Sequence, residues 1–209
     1  MIEKFRNIGI IPVVVLNDSG HAKTLANVLC EGGLPCAEVT FRTSAAKESI
    51  FKMKEAYPEM LVGAGTVMSI EQVDDALEAG AEFIVTPGFN EKVVAYCLEK
   101  EIPITPGCMD TYAIERALSY GLTTVKFFPA EAAGGIKMIK ALSGPYRNLS
   151  FIPTGGINEK NIKDYLELPQ IVACGGSWMV PSSLIDAENF SEIDVLVRDA
   201  VAIVKAVRG

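Results

Sequence analysis

The chain has 209 residues, of which 49% are hydrophobic and 22% are charged; this composition is typical of a folded globular protein and excludes a largely disordered chain. The formal net charge is −7 and no basic cluster stands out, so neither nucleic acid nor an anionic membrane surface is an expected partner. The length predicts one domain spanning residues 1–209, with a core that needs no disulfide or metal.

Several features indicate a cytoplasmic protein without a metal centre. The five cysteines form no CxxC pair, which favours reduced thiols over a disulfide framework or a zinc site. The apolar run at residues 8–16 is too short to span a bilayer, and the charged start followed by Pro12 does not resemble a signal peptide. His21 is the only histidine, which makes a His-ligated metal or a Ser-His-Asp triad an unlikely basis for function.

Short apolar segments rich in β-branched residues alternate with segments of helical periodicity along the whole chain. We predict strands at residues 9–16, 36–41, 61–67, 83–88, 103–107, 124–129, 151–156 and 171–180. We predict helices at residues 21–33, 44–57, 69–80, 90–101, 110–121, 134–144, 158–168 and 191–207.

Eight strand–helix units predict an α/β protein, a (β/α)8 TIM barrel. An open, doubly wound parallel sheet is the alternative. The barrel is favoured because no strand has the polar pattern of a sheet edge, and closure of the sheet removes its edges. In a barrel, catalytic groups collect at the carboxyl ends of the strands.

The second predicted strand carries charge where a buried strand should be apolar. Glu38, Thr40 and Arg42 share one face of it by the two-residue period. Glu38 suits a general acid or base, or else serves only as the counter-ion of a buried lysine. Arg42 suits the binding of a carboxylate, and a salt bridge at the rim is the alternative.

Lys126 stands in the apolar sixth strand, between Val125 and Phe127. Burial of a lysine disfavours its charged form, and a neutral amine attacks carbonyls to form an imine. An interior ion pair with Glu38, without chemistry, is the other interpretation. We favour catalysis because Glu38 is expected to face the same interior.

Glycine-bearing turns end three strands. The GAGT turn at residues 63–66 would let a ligand approach the backbone, with the Thr66 hydroxyl beside it. The paired glycines in PTGGIN (153–158) and CGGS (174–177) lie at strand ends in the seventh and eighth units, and barrels often bind phosphate in the loops of those units. Each pair alone is equally compatible with a simple tight turn. Trp178 and Met179, which follow, are expected to pack beneath the last helix.

An ordered set of motifs resembles the 2-keto-3-deoxy-6-phosphogluconate (KDPG) aldolases and the overlapping 4-hydroxy-2-oxoglutarate (KHG) aldolases. The motifs are EVTFRT (38–43), VGAGTV (62–67), TPG (86–88), TVKFFPAEAAGG (124–135), PTGGI (153–157) and GGSWMVP (175–181). The resemblance implies a metal-free class I lyase on a (β/α)8 barrel, commonly a homotrimer, that acts on a phosphorylated keto acid without a cofactor.

Position by position, the resemblance implies that Lys126 forms the Schiff base and that Glu38 transfers protons. It implies that Arg42 and Thr66 bind the substrate carboxylate and that Pro87 lies in the nearby wall.

The resemblance also implies that the Thr154 hydroxyl contacts the substrate chain and that Phe128 lies beside the imine. The residues that it implies for phosphate binding are Gly155, Gly156, Gly175, Gly176 and Ser177. The segment CMDTYAIE (108–115) departs from the family pattern, which leaves that wall of the pocket undefined.

The expected reaction is reversible cleavage of KDPG to pyruvate and D-glyceraldehyde 3-phosphate, with 4-hydroxy-2-oxoglutarate as a second candidate substrate. The alternatives are an aldolase for the galactonate epimer, a phosphosugar isomerase or epimerase, and a non-catalytic phosphosugar-binding barrel.

Overall fold

In the computed structural model, which describes residues 1–209, eight strands alternate with helices. The strands are β1 (Ile10–Val14), β2 (Cys36–Thr40), β3 (Leu61–Gly65), β4 (Ile84–Val85), β5 (Ile104–Thr105), β6 (Thr124–Phe127), β7 (Ser150–Pro153) and β8 (Cys174–Gly176). The helices are α1 (Ile2–Ile8), α2 (Ala22–Glu31), α3 (Ala46–Ala56), α4 (Ile70–Glu78), α5 (Glu91–Glu99), α6 (Thr111–Ser119), α7 (Gly135–Ser143), α8 (Ile162–Leu166), α9 (Ser182–Asp186) and α10 (Phe190–Arg208). All eight predicted strand–helix units are present.

Every strand pairing is parallel. Six strands form one sheet in the order β5-β4-β3-β2-β1-β8, and β6 pairs with β7 in a second sheet. Single parallel bridges, Gly107 with Lys126 and Thr154 with Gly175, connect the two sheets on both sides. The doubly wound alternative is wrong, because consecutive strands are neighbours and β8 lies beside β1.

The two faces of each strand have different surroundings. On β2, Ala37 and Val39 belong to a core of 51 buried residues that includes residues of the surrounding helices. Cys36, Glu38 and Thr40 alternate with them and occupy the opposite face, which is equally buried. The period of two therefore directs Glu38 to the face of β2 opposite the surrounding helices.

Helix α1 precedes the first strand and was not predicted, because we interpreted its charged sequence only as the start of the chain. Its Phe5 is buried and packs edge-on against Phe83, with ring centroids 4.9 Å apart. Both rings belong to a cluster of nine residues that also contains Leu61, near the start of β3. This helix therefore covers the interior at the amino ends of the strands, opposite the expected site.

Some predicted strands are too long, because the chain turns where their sequences still look extended. The eighth was predicted over residues 171–180, but β8 covers only Cys174–Gly176, and the Val180 amide donates to the Ser177 carbonyl in a turn. The third ends at Gly65 because Thr66 takes a left-handed conformation with φ 56°.

Four helices, α4, α5, α6 and α10, begin at a residue whose side chain accepts a hydrogen bond from the backbone. The predicted Ser69 cap is present, with its hydroxyl accepting from the Gln72 amide. Helix α3 instead begins without a side-chain cap, although Ser44 precedes it.

No helix combines the length and the apolar character that crossing a membrane requires. All five cysteines are free, and all except Cys30 are buried. No group of three or more histidine, cysteine, aspartate or glutamate side chains is placed to hold a metal ion.

Replacement of Phe5 by alanine should destabilise the protein by about 3–5 kcal/mol, because it removes a buried ring and leaves a cavity. Denaturant unfolding measures the change. Lys4→Ala on the same helix is the control: its side chain is 63% exposed and its ion pair with Glu82 is 3.7 Å long, so we expect a loss of about 0.5 kcal/mol or less. Equal stability of the two variants would contradict the packing role of α1.

Candidate active site

A buried contact between two charged side chains forms the centre of the site. Lys126 Nζ on β6 lies 3.0 Å from Glu38 Oε1 on β2. The two side chains are only 6% and 3% exposed. Two charges removed from water in this way are tolerated only when each satisfies the other. The sequence-based expectation that both face one interior is confirmed.

The neighbouring strand, β3, makes room for Glu38 at Gly65, which has no side chain. A Cβ atom on Gly65 would lie 2.2 Å from Glu38 Oε1, and one on Gly63 would lie 2.4 Å from the Phe83 ring. The glycines of the GAGT turn were expected to admit a ligand. At Gly65 the Glu38 carboxylate occupies that space instead, so this glycine positions the acid.

Two buried threonine hydroxyls, those of Thr40 and Thr154, differ in their hydrogen bonding. The Thr40 hydroxyl donates to the Val14 carbonyl, so it is engaged with the backbone. Thr154 Oγ1 is buried without any hydrogen-bond partner, which is rare for an interior hydroxyl. A Cβ atom on Gly175 would lie 2.3 Å from this oxygen. Thr154 is therefore a donor and acceptor available to a bound molecule.

A cavity of about 580 Å³ opens at the carboxyl ends of β1, β2, β6, β7 and β8, a size that suits a small-molecule ligand. Eight of the predicted site residues line it: Arg42, Phe128, Thr154, Gly155, Gly156, Gly175, Gly176 and Ser177. Eight further residues complete the wall: Val13, Val15, Ile157, Trp178, Val180, Pro181, Ser182 and Ser183.

The remaining predicted residues lie outside this wall. Lys126 and Glu38 lie in the interior, and Lys126 Nζ is 5.4 Å from the centre of the Phe128 ring that lines the cavity. Thr66 and Pro87 follow β3 and β4, on strands that do not border the cavity. The structure thus brings together the phosphate-binding candidates and places the reactive pair close by.

Arg42 is exposed and takes part in no ion pair. The alternative reading of Arg42 as a rim salt bridge is therefore wrong. A guanidinium without a carboxylate partner at a cavity wall is available to an anionic ligand.

The glycine pair after β7 needs glycine for its backbone. Gly155 and Gly156 have φ values of 99° and 82°, a conformation that side chains disfavour. The pair that ends β8 needs glycine for space, since a Cβ on Gly176 would lie 2.0 Å from the Trp178 ring. Both glycine pairs line the cavity, and segments that present backbone rather than side chains are suited to binding an anion.

Trp178 was expected beneath the last helix, and this expectation is wrong. Its ring is partly exposed and forms a wall of the cavity, whereas the adjacent Met179 is fully buried. The two residues are adjacent in the turn after β8, and their side chains point in different directions: Trp178 lines the cavity and Met179 packs in the core. A strand prediction that ended at Gly176 would have placed Trp178 in the turn that lines the cavity.

Comparison with known proteins gives a consistent family. The model of the aldolase family described as "KDPG and KHG aldolase" matches residues 1–196. The 2-dehydro-3-deoxy-phosphogluconate aldolase of Haemophilus influenzae is 50% identical over 205 residues, which cover 98% of this chain and 97% of that protein.

Solved structures agree with this result. The KDPG aldolase from Legionella pneumophila, with pyruvate captured as a covalent carbinolamine intermediate, is 39% identical, has a TM-score of 0.92 and covers 96% of this chain and 98% of its own. The 2-keto-3-deoxy-6-phosphogluconate aldolase of Zymomonas mobilis with 3-phosphoglycerate is 38% identical, with a TM-score of 0.90 and coverage of 97% and 95%.

Gly65→Ala should push the Glu38 carboxylate away from Lys126 Nζ, because the added methyl group would overlap Oε1. A crystal structure of the variant measures the distance, which is 3.0 Å here. Gly88→Ala, at the end of the adjacent unit, is the control because a Cβ there meets nothing within 4 Å. An unchanged contact in Gly65→Ala would show that Gly65 does not position the acid.

Proposed function

Because the chain belongs to the KDPG and KHG aldolase family, we propose that it cleaves 2-keto-3-deoxy-6-phosphogluconate reversibly to pyruvate and D-glyceraldehyde 3-phosphate. It is a carbon–carbon lyase of the class I type. The observation that carries this function is the buried contact between Lys126 and Glu38 beside a cavity with paired glycine turns. The Legionella relative with a covalent pyruvate carbinolamine supports a lysine-based route.

The reaction begins when Lys126 Nζ, as the neutral amine, attacks the C2 ketone of the substrate. A carbinolamine forms, loses water and becomes a protonated imine. Glu38 is 3.0 Å from Nζ, so its carboxylate can accept the amine's proton before attack and return a proton to the departing hydroxyl.

The imine then acts as the electron sink for bond cleavage. Glu38, through one water, takes the proton of the C4 hydroxyl. The C3–C4 bond breaks, its electrons move into the enamine, and the aldehyde leaves. Protonation of the enamine at C3 restores the imine, and hydrolysis releases pyruvate and the free Lys126 amine. Every proton taken by Glu38 is returned within the cycle.

The two ends of the substrate are held by different groups. Arg42 and Thr66 bind the carboxylate of the pyruvyl part, with Pro87 in the adjacent wall. The free guanidinium of Arg42 supports this assignment. The Thr154 hydroxyl contacts the substrate chain, an assignment supported by its lack of a protein partner. Phe128 packs beside the imine, consistent with the 5.4 Å separation of Nζ and its ring.

The phosphate binds in the glycine turns. The residues assigned to it are Gly155, Gly156, Gly175, Gly176 and Ser177. Backbone amides in such turns bind an anion through local dipoles, even in a protein with a net charge of −7. The Zymomonas relative that holds 3-phosphoglycerate supports a phosphorylated ligand in this family.

We propose that no metal or cofactor takes part, because the iminium withdraws electrons as a Lewis acid would in other aldolases. Turnover that persists in the presence of a chelator would support this reading.

Cleavage of 4-hydroxy-2-oxoglutarate to pyruvate and glyoxylate by the same site is the second candidate activity. The family's joint KDPG and KHG description favours it.

We propose that the eight strands form a closed (β/α)8 barrel and a single domain. The bridges between β5 and β6 and between β7 and β8, together with the single large core, support closure.

We propose a cytoplasmic homotrimer as the assembly of this protein. Exposed large apolar side chains such as Phe51, Met68 and Tyr112 are candidates for subunit contacts, and the five free cysteines fit a reducing compartment.

Incubation with pyruvate and borohydride should attach a reduced pyruvate adduct to Lys126, because borohydride traps the imine. Mass spectrometry of the intact protein and of its peptides locates the adduct. Lys126→Met should lose it. Lys54→Met should retain it, although Lys54 also contacts a carboxylate, Glu82, at 2.7 Å. No adduct, or an adduct on another lysine, would defeat the assignment.

Glu38→Gln should lower kcat on the order of 10²–10⁴-fold, because an amide occupies the same space but transfers no proton. Steady-state assays of pyruvate release measure the loss. Glu82→Gln removes a carboxylate that pairs with Lys54 outside the site and should keep wild-type turnover. Wild-type turnover in Glu38→Gln would remove this residue from the mechanism.

A further inference from the structure

The loop proposed to bind phosphate is in direct contact with an acidic side chain. A Cβ atom on Gly156 would lie 2.6 Å from Glu131 Cγ, so the Glu131 stem packs on the Gly156 backbone. The Glu131 amide also donates to the Gly155 carbonyl at 3.0 Å. Glu131 is therefore joined to this loop through both its side chain and its backbone amide.

The carboxylate end of Glu131 is held at a defined place. The Tyr165 hydroxyl donates to Glu131 Oε1. Tyr165 lies on α8 and is fully buried, whereas Glu131 is exposed. Gly135, at the start of α7, leaves space for both groups: a Cβ there would lie 2.9 Å from Glu131 Oε1 and 2.9 Å from the Tyr165 hydroxyl oxygen.

A carboxylate beside an anion-binding loop repels the anion and so opposes its binding. A phosphate monoester carries close to two negative charges at neutral pH, and a like charge close by weakens its binding. A carboxylate near the start of α7 is favoured by the helix dipole. Burial and the neighbouring Glu131 raise the pKa of the Tyr165 hydroxyl, so the hydroxyl remains a donor to Glu131 at neutral pH.

We propose that Tyr165 is a positioning residue for the phosphate end of the substrate: its hydroxyl holds the Glu131 carboxylate against the start of α7 and away from the anion in the Gly155–Gly156 loop. This inference rests on the proposed function, because it needs a phosphorylated ligand in that loop. Tyr165 touches neither the substrate nor Lys126 and acts only through Glu131. Glu131 thereby supports the loop by packing without opposing the phosphate by charge.

Tyr165→Phe keeps the ring and removes only the hydroxyl. We expect KM for KDPG to rise about tenfold, the order of one partly solvated charge interaction. The rise should shrink at high ionic strength, because salt screens an exposed carboxylate. The KM for unphosphorylated 4-hydroxy-2-oxoglutarate should not change. Ser177→Ala provides the reference for direct loss of a phosphate contact, since its effect should not be relieved by salt.

A double variant separates the charge effect from simple packing. Tyr165→Phe with Glu131→Gln should return KM for KDPG to near the wild-type value, because a neutral amide no longer repels phosphate. Glu131→Gln alone should either leave the KM for KDPG unchanged or lower it. This variant does not alter the buried core, because Glu131 is exposed. A tenfold rise in KM in Glu131→Gln, or no rescue in the double variant, would overturn the proposal.

The wild-type protein decides whether the proposed function itself holds. In D2O it should exchange the C3 protons of pyruvate, a reaction that needs the imine and enamine but no phosphate. Absence of exchange in the wild type would reject the aldolase mechanism. Normal exchange together with equal KM values for KDPG in wild type and Tyr165→Phe would reject only the role of Tyr165.

Discussion

The contact between Lys126 and Glu38 constrains the rest of this structure. A lysine and a glutamate that are 6% and 3% exposed require each other, since either charge alone in such an interior is strongly unfavourable. Their strands, β6 and β2, belong to different sheets, so the pair joins the two sheets across the interior. The same contact keeps an amine and a proton acceptor within one hydrogen bond.

The amino and carboxyl ends of the strands have different surroundings. At the amino ends, α1 and the Phe5–Phe83 contact cover an apolar interior. At the carboxyl ends, short strands give way to turns that line an open cavity. At the carboxyl ends, Thr66 with φ 56° and Thr154 without a partner are features that packing alone would not favour. Their position at the carboxyl ends suits the binding of a polar ligand.

Sequence patterns predicted much of this arrangement, for physical reasons that differ from residue to residue. Alternating apolar segments revealed the eight units because each strand and helix must bury a face. Lys126 and Glu38 were conspicuous because charge is rare in buried strands. The role of Gly65 and the wall formed by Trp178 were missed because they depend on contacts between distant segments. Tyr165 was not singled out, because its partner, Glu131, is 34 positions away.

A crystal structure of the protein soaked in pyruvate at low pH tests the central claim most directly. The account predicts continuous density from Lys126 Nζ to C2 of pyruvate, with the Glu38 carboxylate still within hydrogen-bond distance of the new bond and the pyruvate carboxylate directed toward Arg42. Pyruvate bound only among the glycine turns, with Lys126 unmodified and still paired with Glu38, would contradict it.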